Sequence, residues 1–256
     1  MKSLKLCFES ILDDDDIFLD PRNDKRIVEE WIKDNYIIRG KLTISDDLVV
    51  DCNNDVEIKN KNIISLTNGL FRWGEVDGMF NCSSCENITT LEGSPKIVGG
   101  MFDCYACKNL KSLEGAPEKV DGDFYCNNCD KLETLEGAPE EVNGNFDCSD
   151  CAKLKSLEGA PKKTGKDFCC NYCNSLKTLE CSPERVGRNF DCSDCDNLKS
   201  LEGAPKEVGN NFHCQECNNL KTLKGAPEKV GNKIFCVNSN NIKITDSDRK
   251  KYKIME

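Results

Sequence analysis

Cysteine is the residue type most able to do chemistry in this chain: 19 stand among 256 residues, and most fall in C-x-x-C pairs. The run Cys82-x2-Cys85-x18-Cys104-x2-Cys107 satisfies the ligand spacing of a four-thiolate zinc site. The same spacing then links every neighbouring pair of units as far as Cys217, a regularity that separate metal sites do not require. A buried thiol is also a small apolar side chain with a weak donor. The repetition therefore favours continuous thiol columns in a core, with a second-column thiol covering backbone groups of the turn. A zinc-stabilised four-cysteine scaffold stays open as the alternative; no metal ligand and no cofactor is assigned. Cys169 and Cys181 leave the columns. Cys169 is expected to face outward beside Cys170 and to be the more reactive of the two, and Cys181 replaces a repeated glycine.

No catalytic constellation accompanies these thiols. His213 is the single histidine, and the outward Cys169 lies two units away, about 10 Å at the usual strand spacing. There is no phosphate-cradling G-x-x-x-x-G-K-[ST], no H-E-x-x-H and no G-x-S-x-G. A non-enzyme is expected. With 35 Lys plus Arg against 45 Asp plus Glu, the formal charge of −10 disfavours a nucleic-acid binder. No apolar run approaches a membrane span, and no cationic stretch followed by an apolar one marks a secretory leader. A soluble, cytoplasmic protein with reduced thiols is the expectation.

The elements that must position these residues follow from a period of 22. Phe80, Phe102, Phe124, Phe146, Phe168, Phe190 and Phe212 recur at that step, and Ile234 takes the next place. Cys82 to Cys236 keep step two residues later and Cys85 to Cys217 three beyond those, with Ser239 ending the second column. Leucine or isoleucine follows from Ile88 to Ile242 and again from Leu91 to Leu223; proline closes each unit, usually with valine three residues on. The F-x-C step has the period of a strand and turns both side chains to one side. Glycine and proline then turn the chain before a helix can form. One unit cannot bury its own apolar set, but stacked units can, which predicts a mainly β solenoid of short parallel strands. Seven intervals at about 4.8 Å give an array about 34 Å long.

Units such as Phe190-Asp191-Cys192-Ser193-Asp194-Cys195-Asp196-Asn197-Leu198-Lys199-Ser200-Leu201-Glu202-Gly203-Ala204-Pro205 resemble the short leucine-rich-repeat-like arrays of tailed bacteriophages and the bacteria they infect. The resemblance covers roughly residues 78–245 and departs from the leucine-rich consensus by one extra residue on each side of the strand. It implies a phage-encoded interaction protein without an assigned substrate.

The ends divide the chain further. Residues 1–22 combine an apolar patch with Asp13-Asp14-Asp15-Asp16 and read as a docking or cap segment. Residues 23–47 hold a helical and strand cap, with Ile27, Val28, Trp31 and Ile32 on one helix face and Asn23 as N-cap. Residues 48–77 are degenerate first repeats, with a three-residue expansion around Trp73; 78–239 form the regular array, and 240–256 a C-terminal cap or tail.

The outward strand column reads Asn81, Asp103, Tyr125, Asp147, Cys169, Asp191, His213 and Phe235, flanked by Tyr105, Asn128, Asp150, Tyr172, Asp194 and Glu216. Tyrosines among acids suit a protein partner or a basic peptide. Asp103, Tyr105, Tyr125, Asp147, Asp150, Tyr172, Asp191, Asp194, His213 and Glu216 form the candidate binding face. A solvated face with no partner is the bland reading, and a virion-packaged assembly protein docked by residues 1–22 is the competing function. Lys111, Lys155, Lys177, Lys199 and Lys221 run beside Glu92, Glu114, Glu136, Glu158, Glu180 and Glu202, and are expected to pair as an opposite-sign ladder.

Overall fold

Each regular unit contributes two strands of two residues to the computed structural model, which describes residues 25–239 and 242–255. The strand on phenylalanine, such as Phe124–Tyr125, joins an 11-stranded sheet; the strand on valine, such as Lys119–Val120, joins a 10-stranded one. Register is kept coil after coil, with Phe102 on Phe124, Phe124 on Phe146 and Phe146 on Phe168, all parallel. The molecule is a mainly β solenoid. The second sheet is a structural addition to the F-x-C strand, since a valine with one neighbour leaves no alternating signature to read.

Backbone pairing continues past the strands. Cys104 N donates to Tyr125 O at 2.8 Å, Ala106 N to Asn127 O at 3.0 Å and Leu113 N to Glu136 O at 2.8 Å. Buried peptide groups at the turns thereby find partners in the following coil, as they must in a dry interior. Inside, the phenylalanines from Phe80 to Phe212, the two leucine columns and the paired cysteines are buried. Phe168 stacks on Phe190 with centroids 5.4 Å apart and planes 4° apart, and Phe190 on Phe212 at 5.3 Å and 4°.

The N-terminal end closes this stack. Helix α1 (Lys25–Asn35) buries Val28 and Ile32, and β1 (Tyr36–Ile38) and β2 (Leu42–Ile44) follow it. They pair antiparallel with β4 (Val56–Ile58) and β3 (Val49–Cys52), ending both parallel ladders. The expanded unit supplies β5 (Arg72–Val76), whose buried Trp73 packs edge-on against Tyr36, Phe71 and Phe80. An antiparallel strand with an aromatic plug covers an edge that would otherwise template further pairing. At the other end α2 (Asp246–Lys251) is capped by Thr245 and Asp248. Strand Lys253–Met255 then pairs parallel with Lys233–Phe235, while the Tyr252 hydroxyl donates to Pro227 O at 2.6 Å. Segment 1–22 and the N-cap Asn23 lie outside the described residues. No helix among the described residues is long and apolar enough to cross a membrane.

Candidate functional site

The two cysteine columns are hydrogen-bonded in opposite directions. Second-column thiols donate back to the preceding coil: Cys107 Sγ to Cys82 O at 3.2 Å, Cys173 Sγ to Cys148 O at 3.3 Å, Cys217 Sγ to Cys192 O at 3.1 Å. Ser239 Oγ repeats that bond to Cys214 O at 3.1 Å, so the position calls for a small donor. First-column thiols donate forward, as Cys104 Sγ does to Tyr125 O at 3.2 Å and Cys192 Sγ to His213 O at 3.3 Å. Burial pushes the Cys104, Cys126, Cys148, Cys170 and Cys214 thiols well above the ordinary range. Among the described residues no group of three or more His, Cys, Asp or Glu side chains is placed to hold a metal ion.

The ranking of the two stray cysteines reverses. Cys169 is only half exposed, and burial together with Asp147, Asp191 and Asp167 pushes its thiol up, away from the reactive thiolate. Cys181 is the exposed one. It sits at φ +66°, where the equivalent Gly159 and Gly203 have +86° and +87°.

The candidate binding residues occupy three columns on the phenylalanine sheet and the turn that follows it: the outward strand residues, Tyr105 at the first turn position, and Asp150, Tyr172, Asp194 and Glu216 at the next. Asp103, Tyr125, Asp147, Asp191 and His213 are half-buried outward residues of two-residue strands. The aspartates also hold the next turn: Asp103 Oδ1 accepts from Tyr105 N at 2.8 Å, Asp147 Oδ1 from Ser149 N at 2.9 Å, and Asp191 Oδ1 from Ser193 N at 2.9 Å. These are Asx turns, a structural duty shared with Asn81. Burial raises Asp103 and Asp147 above the usual carboxylate range, and burial followed by Glu216 and Asp191 raises Asp194.

The flanking Asp150, Tyr172, Asp194 and Glu216 share a left-handed backbone, with φ from +56° to +59°. That conformation suits asparagine or glycine and is costly for tyrosine and glutamate. Tyr172 is 48% exposed and Tyr105, at the preceding turn position, 40%. His213 stacks on Phe235 with centroids 4.7 Å apart. Viewed along the axis the outward column alternates: Asp103, Asp147 and Asp191 on one set of coils, Tyr125, Cys169 and His213 on the other. Ser112, Ser156 and Ser200 alternate in the same way with Thr134, Thr178 and Thr222, so the true sequence repeat is two coils long. Comparing alternate rather than successive units would have exposed it.

The expected lysine–glutamate ladder does not form. Ion pairs join equivalent positions of adjacent coils instead: Lys162 with Glu140 at 2.9 Å, Lys163 with Glu141 at 2.8 Å and Arg185 with Glu207 at 2.7 Å. Within the two predicted stripes, and among the described residues, only Lys155 and Glu202 find such neighbours, Glu133 and Lys224, at 2.6 and 2.8 Å. Chain geometry explains this, because a side chain reaches the coil stacked on it more readily than across its own bend. A shallow groove on the valine side is floored by Gly165, Gly187 and Gly209. A Cβ at Gly187 or Gly209 would lie 2.0 Å from the preceding glycine's carbonyl oxygen, so close stacking alone demands those glycines. Comparison with family models, curated proteins and solved structures finds no match to the chain.

Proposed function

We propose that the protein is a non-enzymatic interaction scaffold that binds a cationic protein surface through the outward face of its phenylalanine sheet. The observation that carries the reading is the alternation along that face. Half-buried carboxylates at Asp103, Asp147 and Asp191 are interleaved with Tyr125, Cys169 and His213 and rimmed by the exposed Tyr105 and Tyr172. Desolvated carboxylates gain more from a cation than fully hydrated ones, and tyrosines supply contact area at low entropic cost. Free thiols throughout the core suit a reducing cytoplasm, and the resemblance to phage arrays supports a viral or host protein as the partner.

The test replaces Tyr125→Ser, Asp147→Asn and Asp191→Asn together. Asparagine keeps the oxygen that each Asx turn needs, so the fold should survive while capture of the partner from host-cell extract is lost. Undiminished capture would remove the face from consideration.

A further inference from the structure

Charge is arranged differently on the two sides of the coil. On the valine side the two signs are mixed along a column, Lys119, Glu141, Lys163, Arg185, Glu207 and Lys229, and opposite charges close within the chain, as in Lys163–Glu141 and Arg185–Glu207. At the leucine corner charges are sorted by sign. Lys155, Lys177, Lys199 and Lys221 make one exposed stripe, and Glu136, Glu158, Glu180 and Glu202 make a second beside it. Lys155, Lys177 and Lys199 each stand three residues before the glutamate of their own unit, so the stripes lie within about 10 Å of each other. Successive members of a stripe are about 4.8 Å apart along the stack, a spacing at which like charges repel. Of these eight residues only Lys155 and Glu202 have an ion pair among the described residues.

The stripes follow the stack. The strands at Phe146, Phe168, Phe190 and Phe212 pair in parallel with no shift of register, so equivalent residues of consecutive coils stand one above the next. A face with one positive and one negative line parallel to the axis is complementary to itself under one symmetry operation. Two-fold rotation about an in-plane axis parallel to the lines lays positive on negative, coil for coil. Rotation about the in-plane perpendicular lays positive on positive.

We propose that this face binds a second copy of the chain, the two solenoids parallel and face to face about a dyad along their length. Lys177 then meets the partner's Glu180, and Lys199 the partner's Glu202, each contact occurring twice by symmetry. Glu133 and Lys224 interrupt the stripes and would face a like charge, yet both are already neutralised within the chain by Lys155 and Glu202. Because the contacts are exposed ion pairs, the association is weak singly, additive along the stripe and sensitive to salt. The inference is independent of the acidic strand face, which uses other residues.

Sedimentation equilibrium of the full chain tests it, at ionic strengths of about 10 and about 500 mM, below and above effective screening. The wild type should be a dimer at low salt and a monomer at high salt. Lys177→Glu with Lys199→Glu makes the face doubly negative, and Glu180→Lys with Glu202→Lys makes it doubly positive. Each double variant alone should self-associate at least about tenfold more weakly, with a thermal melt confirming that it is folded. An equimolar mixture of the two should restore the dimer, because the reversed charges then meet opposite ones. A wild type that is monomeric at low salt, double variants that dimerise as the wild type does, or a mixture that stays monomeric would each overturn the proposal.

Discussion

Leu157 has lost its hydrogen bond to Glu180, the residue before Cys181. Elsewhere in that column the leucine amide donates to the next coil, Leu135 to Glu158 O at 2.9 Å and Leu179 to Glu202 O at 3.3 Å. The cause is the side chain at position 181. At Gly159 and Gly203 a Cβ would stand 2.3 Å from the Glu136 and Glu180 amide nitrogens; Cys181 carries that atom and stands at φ +66°, away from the +86° and +87° of those glycines. Cys181→Gly should remove a left-handed penalty of about 1–2 kcal/mol and let the missing bond form. For a chain of this size each 1 kcal/mol raises Tm by about 2–4 °C. Differential scanning calorimetry should show the rise; an unchanged or lowered Tm would mean that the cysteine is accommodated without strain.

Most of the architecture was legible because a period of 22 is a covalent fact, and it placed Phe124, Cys126, Cys129, Leu132 and Leu135 in the core. Ser239 shows the depth of that signal, since the residue ending the cysteine column also makes the cysteine's hydrogen bond. The valine sheet was not legible, because Glu141–Val142 is two residues long and alternates with nothing. On the candidate face, outward placement could be read from F-x-C. The Asx bonds of Asp147 and Asp191 could not be separated from recognition, because a carboxylate serves both. The charge ladder failed for a related reason: neighbours in sequence were paired, whereas stacking makes neighbours of residues one coil apart.

The second-column thiols act as hydrogen-bond donors in a dry core, which predicts how they tolerate substitution. Cys129 Sγ donates to Cys104 O at 3.4 Å. Cys129→Ser keeps a donor of similar size and should cost less than Cys129→Ala, which removes the bond and some packing, for about 1–3 kcal/mol. Urea titration of both variants measures the order. Zinc-held coils would instead be hurt similarly by both changes, and a chelator would lower the wild-type Tm. The thiol columns predict no response to chelator.

Phe168 should be the costliest single truncation in the middle of the array. It is fully buried and stacks on Phe146 and Phe190 at 5.4 Å on each side. Phe168→Ala should therefore lose about 3–5 kcal/mol. Adjacent coils lean on the same ring, so the loss should spread: hydrogen exchange should rise at Cys148 and Cys192 as well as at Cys170. Exchange confined to the mutated coil would contradict the column as the unit of stability.

Asp147 links stability to the proposed binding, and pH separates the two. Burial raises its pKa in the folded chain above the unfolded value, with Asp150 and Asp191 adding to the shift and the Ser149 hydrogen bonds opposing it. The folded state therefore holds a proton more tightly than the unfolded one, so this residue's contribution to stability falls as pH rises from the ordinary carboxylate range through the raised value. Asp147→Asn keeps the oxygen that accepts from Ser149 N and abolishes the titration. The variant should melt higher than wild type at neutral pH, with the difference shrinking towards pH 4. A cationic partner acts in the opposite sense, because it favours the ionised carboxylate. Capture by the wild type should strengthen as pH rises through the same window and release a fraction of a proton less in the variant. Calorimetric titration in buffers of different ionisation enthalpy measures that proton directly, and equal proton release by both chains would exclude Asp147 from the contact.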